Sequence, residues 1–173
     1  MSDPNRDMLR ILQANEKRLA QTEVKEVPGA IPGFTSFYAT GTFTPIFLGS
    51  TIAGTFTYTL QNGNWTRTGN IVHVQIHISI SAITVAPTGN LQIGSLPITS
   101  TTPDPGTLNV SDYTGITLGA GYSQLGLRVN ASATTALLIK SGSAIQALAV
   151  PGGALALITG AAEFVCSGAY RVA

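Results

Sequence analysis

Ile71-Val72-His73-Val74-Gln75-Ile76-His77-Ile78-Ser79-Ile80-Ser81-Ala82-Ile83 is the stretch on which the fold turns. Val72, Val74, Ile76, Ile78 and Ile80 stand at every second position, with His73, Gln75, His77 and Ser79 between them. An alternation of period two sends successive side chains to opposite faces of an extended chain, whereas a helix would need a period of 3.6. The segment is therefore predicted to be a long strand with one face in a core. Its other face is polar yet carries no charge, so it suits solvent or a contact with another subunit.

The same grammar continues on both sides. Upstream, Phe56, Tyr58 and Leu60 alternate, Asn62-Gly63 offers a hairpin turn, Trp65 and Arg67 run back, and Thr68-Gly69-Asn70 turns again into the long strand. Downstream, shorter strands are expected at Leu91–Leu96, Gly115–Leu118, Gln124–Val129, Thr135–Ile139, Ile145–Ala149 and Leu155–Thr159. The last, Ala162–Val172, puts Phe164, Cys166, Tyr170 and Val172 on one face. Residues 99–112, rich in Thr, Pro, Asp and Asn, read as a long exposed loop. Short strands punctuated by Gly, Pro, Asn and Ser are the signature of an antiparallel sandwich or barrel.

Charge divides the chain. Ten of its 17 charged residues fall within residues 1–26, where they sum to zero; the remaining seven, net +1, serve residues 27–173. Overall, 10% of residues are charged against about 25% in an ordinary globular protein, and the mean hydropathy is +0.28. A domain so poor in charge must wet its surface with amides and hydroxyls or hide it against copies of itself, so an oligomer is expected. Neither part carries a basic footprint, which argues against nucleic acid as a partner. The run Ala144 to Ile158 is broken by Gln146, Pro151, Gly152 and Gly153, too short for a membrane span. A polar N-terminus without an apolar core predicts no signal peptide. Cys166, the single cysteine, is expected to be buried rather than reactive.

Residues 1–27 read as a helical segment. Ser2-Asp3-Pro4 is a start signal, a capping side chain followed by proline at the first helical position. No further Pro or Gly occurs before Pro28-Gly29, so a helix over about 4–24 fits, roughly 30 Å long. Met8, Leu12, Asn15, Leu19 and Thr22 alternate at spacings of four and three, which makes a coiled-coil seam. Arg18 and Glu23 flank it, and Arg18-Leu19-Ala20-Gln21-Thr22-Glu23 resembles the Arg-h-x-x-h-Glu pattern of three-stranded coiled coils. The other readings are a helix packed on its own β domain through Met8, Ile11, Leu12 and Leu19, or one docked into a different protein. Residues 28–38 form the linker and 39–173 the β domain.

Four pieces follow one another along the β domain: Gly41-Thr42-Phe43-Thr44-Pro45; Tyr58 through Gly63-Asn64-Trp65-Thr66-Arg67-Thr68-Gly69-Asn70 into Val72-His73-Val74; Leu96-Pro97-Ile98-Thr99; and Ser167-Gly168-Ala169-Tyr170. Together they resemble the jelly-roll module of bacteriophage fibre and head-decoration proteins, over roughly residues 40–172. That resemblance implies a jelly-roll-like antiparallel β-sandwich with an N-terminal α-helix, coiled-coil-like or docking, on a homotrimer at the virion surface. It further implies partners among capsid or tail proteins and, for a fibre tip, a host surface glycan. A standalone carbohydrate-binding module is the alternative that needs no virion.

No catalytic constellation is expected. Asp104, Asp112 and Glu163 are the only carboxylates of the β domain, and Asp104 and Asp112 lie in loop-like sequence. His73 and His77 stand about 13 Å apart along one strand, too far to share a metal within one chain, although rings of either on a trimer axis could hold one. There is no Gly-x-Ser-x-Gly elbow and no phosphate-binding glycine loop. No cofactor or metal is therefore expected. Trp65, Tyr113 and Tyr122 are the candidate carbohydrate contacts, against an ordinary packing role for each.

Overall fold

The computed structural model describes residues 38–103, 106–143, 145–152 and 162–173. The helix expected within residues 1–27 and the strand expected at Leu155–Thr159 lie outside them. The described residues form an all-β antiparallel domain of ten strands. These are β1 (Tyr38–Phe43), β2 (Ile46–Gly49), β3 (Thr55–Thr68), β4 (Ile71–Val85), β5 (Leu91–Gly94), β6 (Gly106–Tyr113), β7 (Gln124–Val129), β8 (Ala136–Gly142), β9 (Ile145–Ala149) and β10 (Ala162–Arg171). Their order across the sheet is β1-β3-β4-β10-β6-β7-β8-β5-β2, with β9 paired to β8.

The two ends of that order belong to one stretch of chain. β1 and β2 are separated only by Thr44 and Pro45, yet β1 pairs with β3 and β2 with β5. The sheet therefore folds back on itself around one core. Phe47 of β2 meets Phe164 of β10 edge-on at 5.5 Å, although several strands separate them in the hydrogen-bonded order. Edge-to-face packing of this kind joins two layers across a core and adds to plain area burial.

β4 supplies the centre of the core. Val72, Val74, Ile76, Ile78 and Ile80 are all buried, as the period-two pattern predicts. β10 faces the same interior with Phe164, Cys166 and Tyr170, followed by Val172 just beyond the strand. Leu125, Leu127, Val129, Ala136 and Leu138 close the core from β7 and β8. Two tyrosine hydroxyls tie loose backbone to this frame. Tyr170 donates to the Ile98 carbonyl at 2.9 Å and accepts from the Ile98 N–H at 3.3 Å. Tyr58 accepts from the Phe47 N–H at 2.9 Å and reaches its carbonyl at 3.5 Å.

Three local expectations are corrected. Asn62-Gly63 is not a hairpin turn: β3 runs unbroken from Thr55 to Thr68, and the turn comes at Gly69, where φ is +61°. Gly63 is paired on both sides, with Phe43 of β1 and Ile76 of β4, and the Phe43 ring covers it, so tertiary pairing overrides the local turn preference. Within 99–112 the structure places a strand, β6, whose Leu108 is buried against β10 while Thr107 and Asn109 face outward. Gly115–Leu118 is irregular rather than a strand, yet Ile116 and Leu118 still sit in the core.

Burial also sets a pH dependence. Desolvation pushes the Cys166 thiol from its ordinary 9.0 up to about 12. It pushes the Tyr170 phenol from 10.0 to about 12 against the opposing hydrogen bond to Ile98. Both groups hold their protons more tightly when folded, so the stability they contribute is complete below pH 9 and is lost as pH rises from 9 to 12. Denaturant unfolding at pH 8 and pH 11 is expected to show a clear loss at the higher value. The loss shrinks in the Cys166→Ala, Tyr170→Phe double variant. Equal loss in both proteins would contradict the assignment.

Candidate functional site

Residues directly opposite each other on antiparallel strands share a face. One such row crosses six strands: Asn64 (β3), Gln75 (β4), Ser167 (β10), Asn109 (β6), Gly126 (β7) and Ile139 (β8). Its polar members are exposed, whereas the flanking Val74, Ile76, Cys166, Leu108, Leu127 and Leu138 are buried in the core. The row lies on the outer face, and at ~4.8 Å per strand it spans about 24 Å. Beside it runs a second pairing of Asn62 with His77, then Val165 and Asp112.

Two shallow depressions open on this face. One, of about 290 Å³, is lined by Asn62, Asn64, Gln75, His77, Ser111 and Ser167 among others. The other, of about 690 Å³, is lined by Asn109, Ser111, Tyr113, Gln124, Gly126 and Ser141 among others. Ser111 lines both, so the two hollows adjoin and make a groove divided at Ser111. No Lys, Arg, Asp or Glu lines either depression. β6 is irregular at this point: the register against β10 shifts between Val165 and Cys166, and the resulting bulge sets Ser111 between the two hollows.

The side chains of Asn64, Gln75, Asn109 and Ser167 have no hydrogen-bond partner within the protein, among the described residues. Each amide offers two donors and an acceptor, and the hydroxyl offers both. At the rim His77 Nε2 and Glu163 Oε1 lie 2.6 Å apart, with both side chains substantially exposed. An exposed pair of this kind contributes at most about 1 kcal/mol. It orients the His77 ring at the edge of the groove. Among the described residues no group of three or more His, Cys, Asp or Glu is arranged to hold a metal, and no helix is long and apolar enough to cross a membrane.

The three aromatics singled out from sequence are not brought together. Trp65 lies directly across from Val74 on the inward face of β3 and is half-buried, its ring lying over Gly41 of β1. Tyr122 is half-buried beneath Lys140, whose Nζ sits 4.3 Å from the ring centre and donates to the Leu118 carbonyl at 2.7 Å. Tyr113, at the end of β6, is the one that lines the groove. Met8, Ile11, Leu12, Asn15, Arg18, Leu19, Thr22 and Glu23 lie outside the described residues. The amides of β3 and β6 belong to no binding motif in the sequence, and Gln75 of β4 is marked only as part of a polar face suited to solvent or a subunit contact. Their only local signal was the uncharged alternate face of the quoted strand.

No protein-family model matches the chain, and no curated protein does. Its structure is similar to the crystal structure of the Dettilon tailspike protein, with a TM-score of 0.62 and 22% sequence identity. The similarity covers 78% of this chain and 24% of the tailspike chain, so this chain spans about a quarter of the tailspike's length. What the two share is the all-β fold.

Proposed function

We propose that the chain is a structural protein of a bacteriophage virion surface, acting by contact rather than catalysis. In this reading it is a homotrimeric fibre or capsid decoration protein with a jelly-roll-like head. Its N-terminal segment, through Leu12, Leu19, Arg18 and Glu23, joins the three chains or anchors them to other virion proteins. The carrying observation is the fold shared with a phage tailspike over 78% of the chain. The shortage of charge on the β domain supports self-assembly.

A second reading, a tail-fibre tip that adheres to host surface glycan, is favoured by the tail location named for that structural neighbour and by the open groove. Sedimentation equilibrium tests the assembly: three copies are expected. The Leu12→Asp, Leu19→Asp double variant is expected to sediment as a folded monomer, because charge in a coiled-coil seam is not tolerated. A monomeric wild type would refute the trimer. Antibody labelling of purified virions with serum against the β domain separates capsid from tail, and unlabelled virions would refute the virion role.

A further inference from the structure

We infer that the groove on the outer sheet face is a binding site for an uncharged oligosaccharide, held by Asn64, Gln75, Asn109 and Ser167 over a floor made by Gly126. The inference deepens the adhesive reading above and rests on it for biological context.

Gly126 carries the case. Seven other glycines lie in the described strands, and at each an added Cβ would come within 3.0 Å of another atom. At Gly126 the nearest atom would be the Leu108 carbonyl oxygen, at 3.9 Å. Gly126 is also absent from the residues of positive φ. Neither space nor backbone conformation demands glycine there, and glycine within a strand costs roughly 0.5–1 kcal/mol relative to alanine. What the missing side chain does create is the hollow between Asn109 and Ile139, its partners on either side.

The chemistry of the lining selects the ligand. No Lys, Arg, Asp or Glu lines either depression, and His77 at the rim is already engaged by Glu163, so the groove offers no free charge for phosphate, sulfate or an ionised peptide side chain. Its unpartnered amides and hydroxyls both donate and accept, which matches the dense hydroxyl pattern of a sugar, each hydroxyl doing the same. Ile139 adds apolar surface for the C–H face of a sugar ring. The outward row from Asn64 to Gly126 is about 19 Å long at ~4.8 Å per strand, a length suited to several sugar units rather than one. A flat second sheet would need interdigitating apolar side chains, and this face presents amides around a hollow instead.

The test uses the full chain on an array of neutral bacterial-surface oligosaccharides, with their uronic-acid and sulfated counterparts as the charged arm. The strongest neutral binder is then titrated calorimetrically. Gly126→Leu fills the hollow where space allows it and is expected to weaken binding at least tenfold, with unchanged melting temperature and sedimenting mass. Asn109→Ala and Gln75→Ala are each expected to weaken it about three- to tenfold. Silence of the neutral array at up to ~1 mM would overturn the proposal. So would preference for the charged arm, or Gly126→Leu binding as tightly as wild type. A changed sedimenting mass in Gly126→Leu would instead assign the face to contacts between copies and equally overturn it. Virion labelling reads the other proposal independently: sugar binding by a chain absent from virions keeps the groove and removes the virion role.

Discussion

Phe164→Ala is expected to destabilise the β domain by about 4 kcal/mol, read as a drop of more than ~10 °C in melting temperature. Phe164 is almost completely buried at the middle of β10, the strand that pairs with β4 on one side and β6 on the other. Its ring stands edge-on to Phe47 at 5.5 Å, and Phe47 in turn touches Phe56 at 6.2 Å between ring centres. Removing it deletes a large apolar side chain and leaves a cavity between two layers of sheet that cannot collapse, since each is held by its own backbone ladder. A loss of that size is a large share of the 5–15 kcal/mol that ordinarily holds a domain together. Denaturant unfolding monitored by tryptophan fluorescence checks it, because Trp65 sits against the same core. A loss below ~1 kcal/mol would mean that the two layers do not meet at this ring pair.

Gly168→Ala is expected to cost about 3 kcal/mol, while Gly126→Ala leaves stability unchanged or slightly raised. The same chemical change at two strand glycines thus has opposite consequences. At Gly168 an added Cβ would sit 2.7 Å from the Thr107 carbonyl oxygen and 2.8 Å from the Leu108 Cα, both backbone atoms of the adjacent β6. Relief requires β6 to move away from β10, which strains the ladder and unseats Leu108 from the core. At Gly126 the methyl group enters the open hollow and gains strand propensity. Thermal unfolding of both variants side by side checks the contrast. Equal effects would remove the reason for assigning Gly126 to the groove.

Much of the fold was legible because strand alternation is a local property. The quoted segment became β4 with its five apolar residues buried, extended by two residues to Val85. Gln124–Val129 and Ile145–Ala149 appear with the same bounds as β7 and β9, and Ala162–Val172 appears as β10 and the residue after it, with Phe164, Cys166, Tyr170 and Val172 inward. β6 escaped notice because its outward residues are polar and only Leu108 among its inward positions is fully buried, so Thr-, Asn- and Ser-rich sequence looked like loop. Asn62-Gly63 misled for the converse reason. Its turn preference is real locally, but pairing to β1 and β4 on both sides outweighs it.

By itself the sequence determined an all-β domain, a hydrophobic core drawn from alternate residues, a buried cysteine and an outer surface starved of charge. Only the tertiary structure decided what that surface can do. Asn64 and Ser167 lie more than a hundred positions apart in the chain, and His77 meets Glu163 across a separation of 86. Which outward residues become neighbours depends on strand order and register, and those are fixed by long-range pairing and by the fit of opposing core side chains. The uncharged face of β4 therefore announced a surface, whereas the groove, its floor at Gly126 and its row of outward amides exist only once β10 and β6 have been laid beside it.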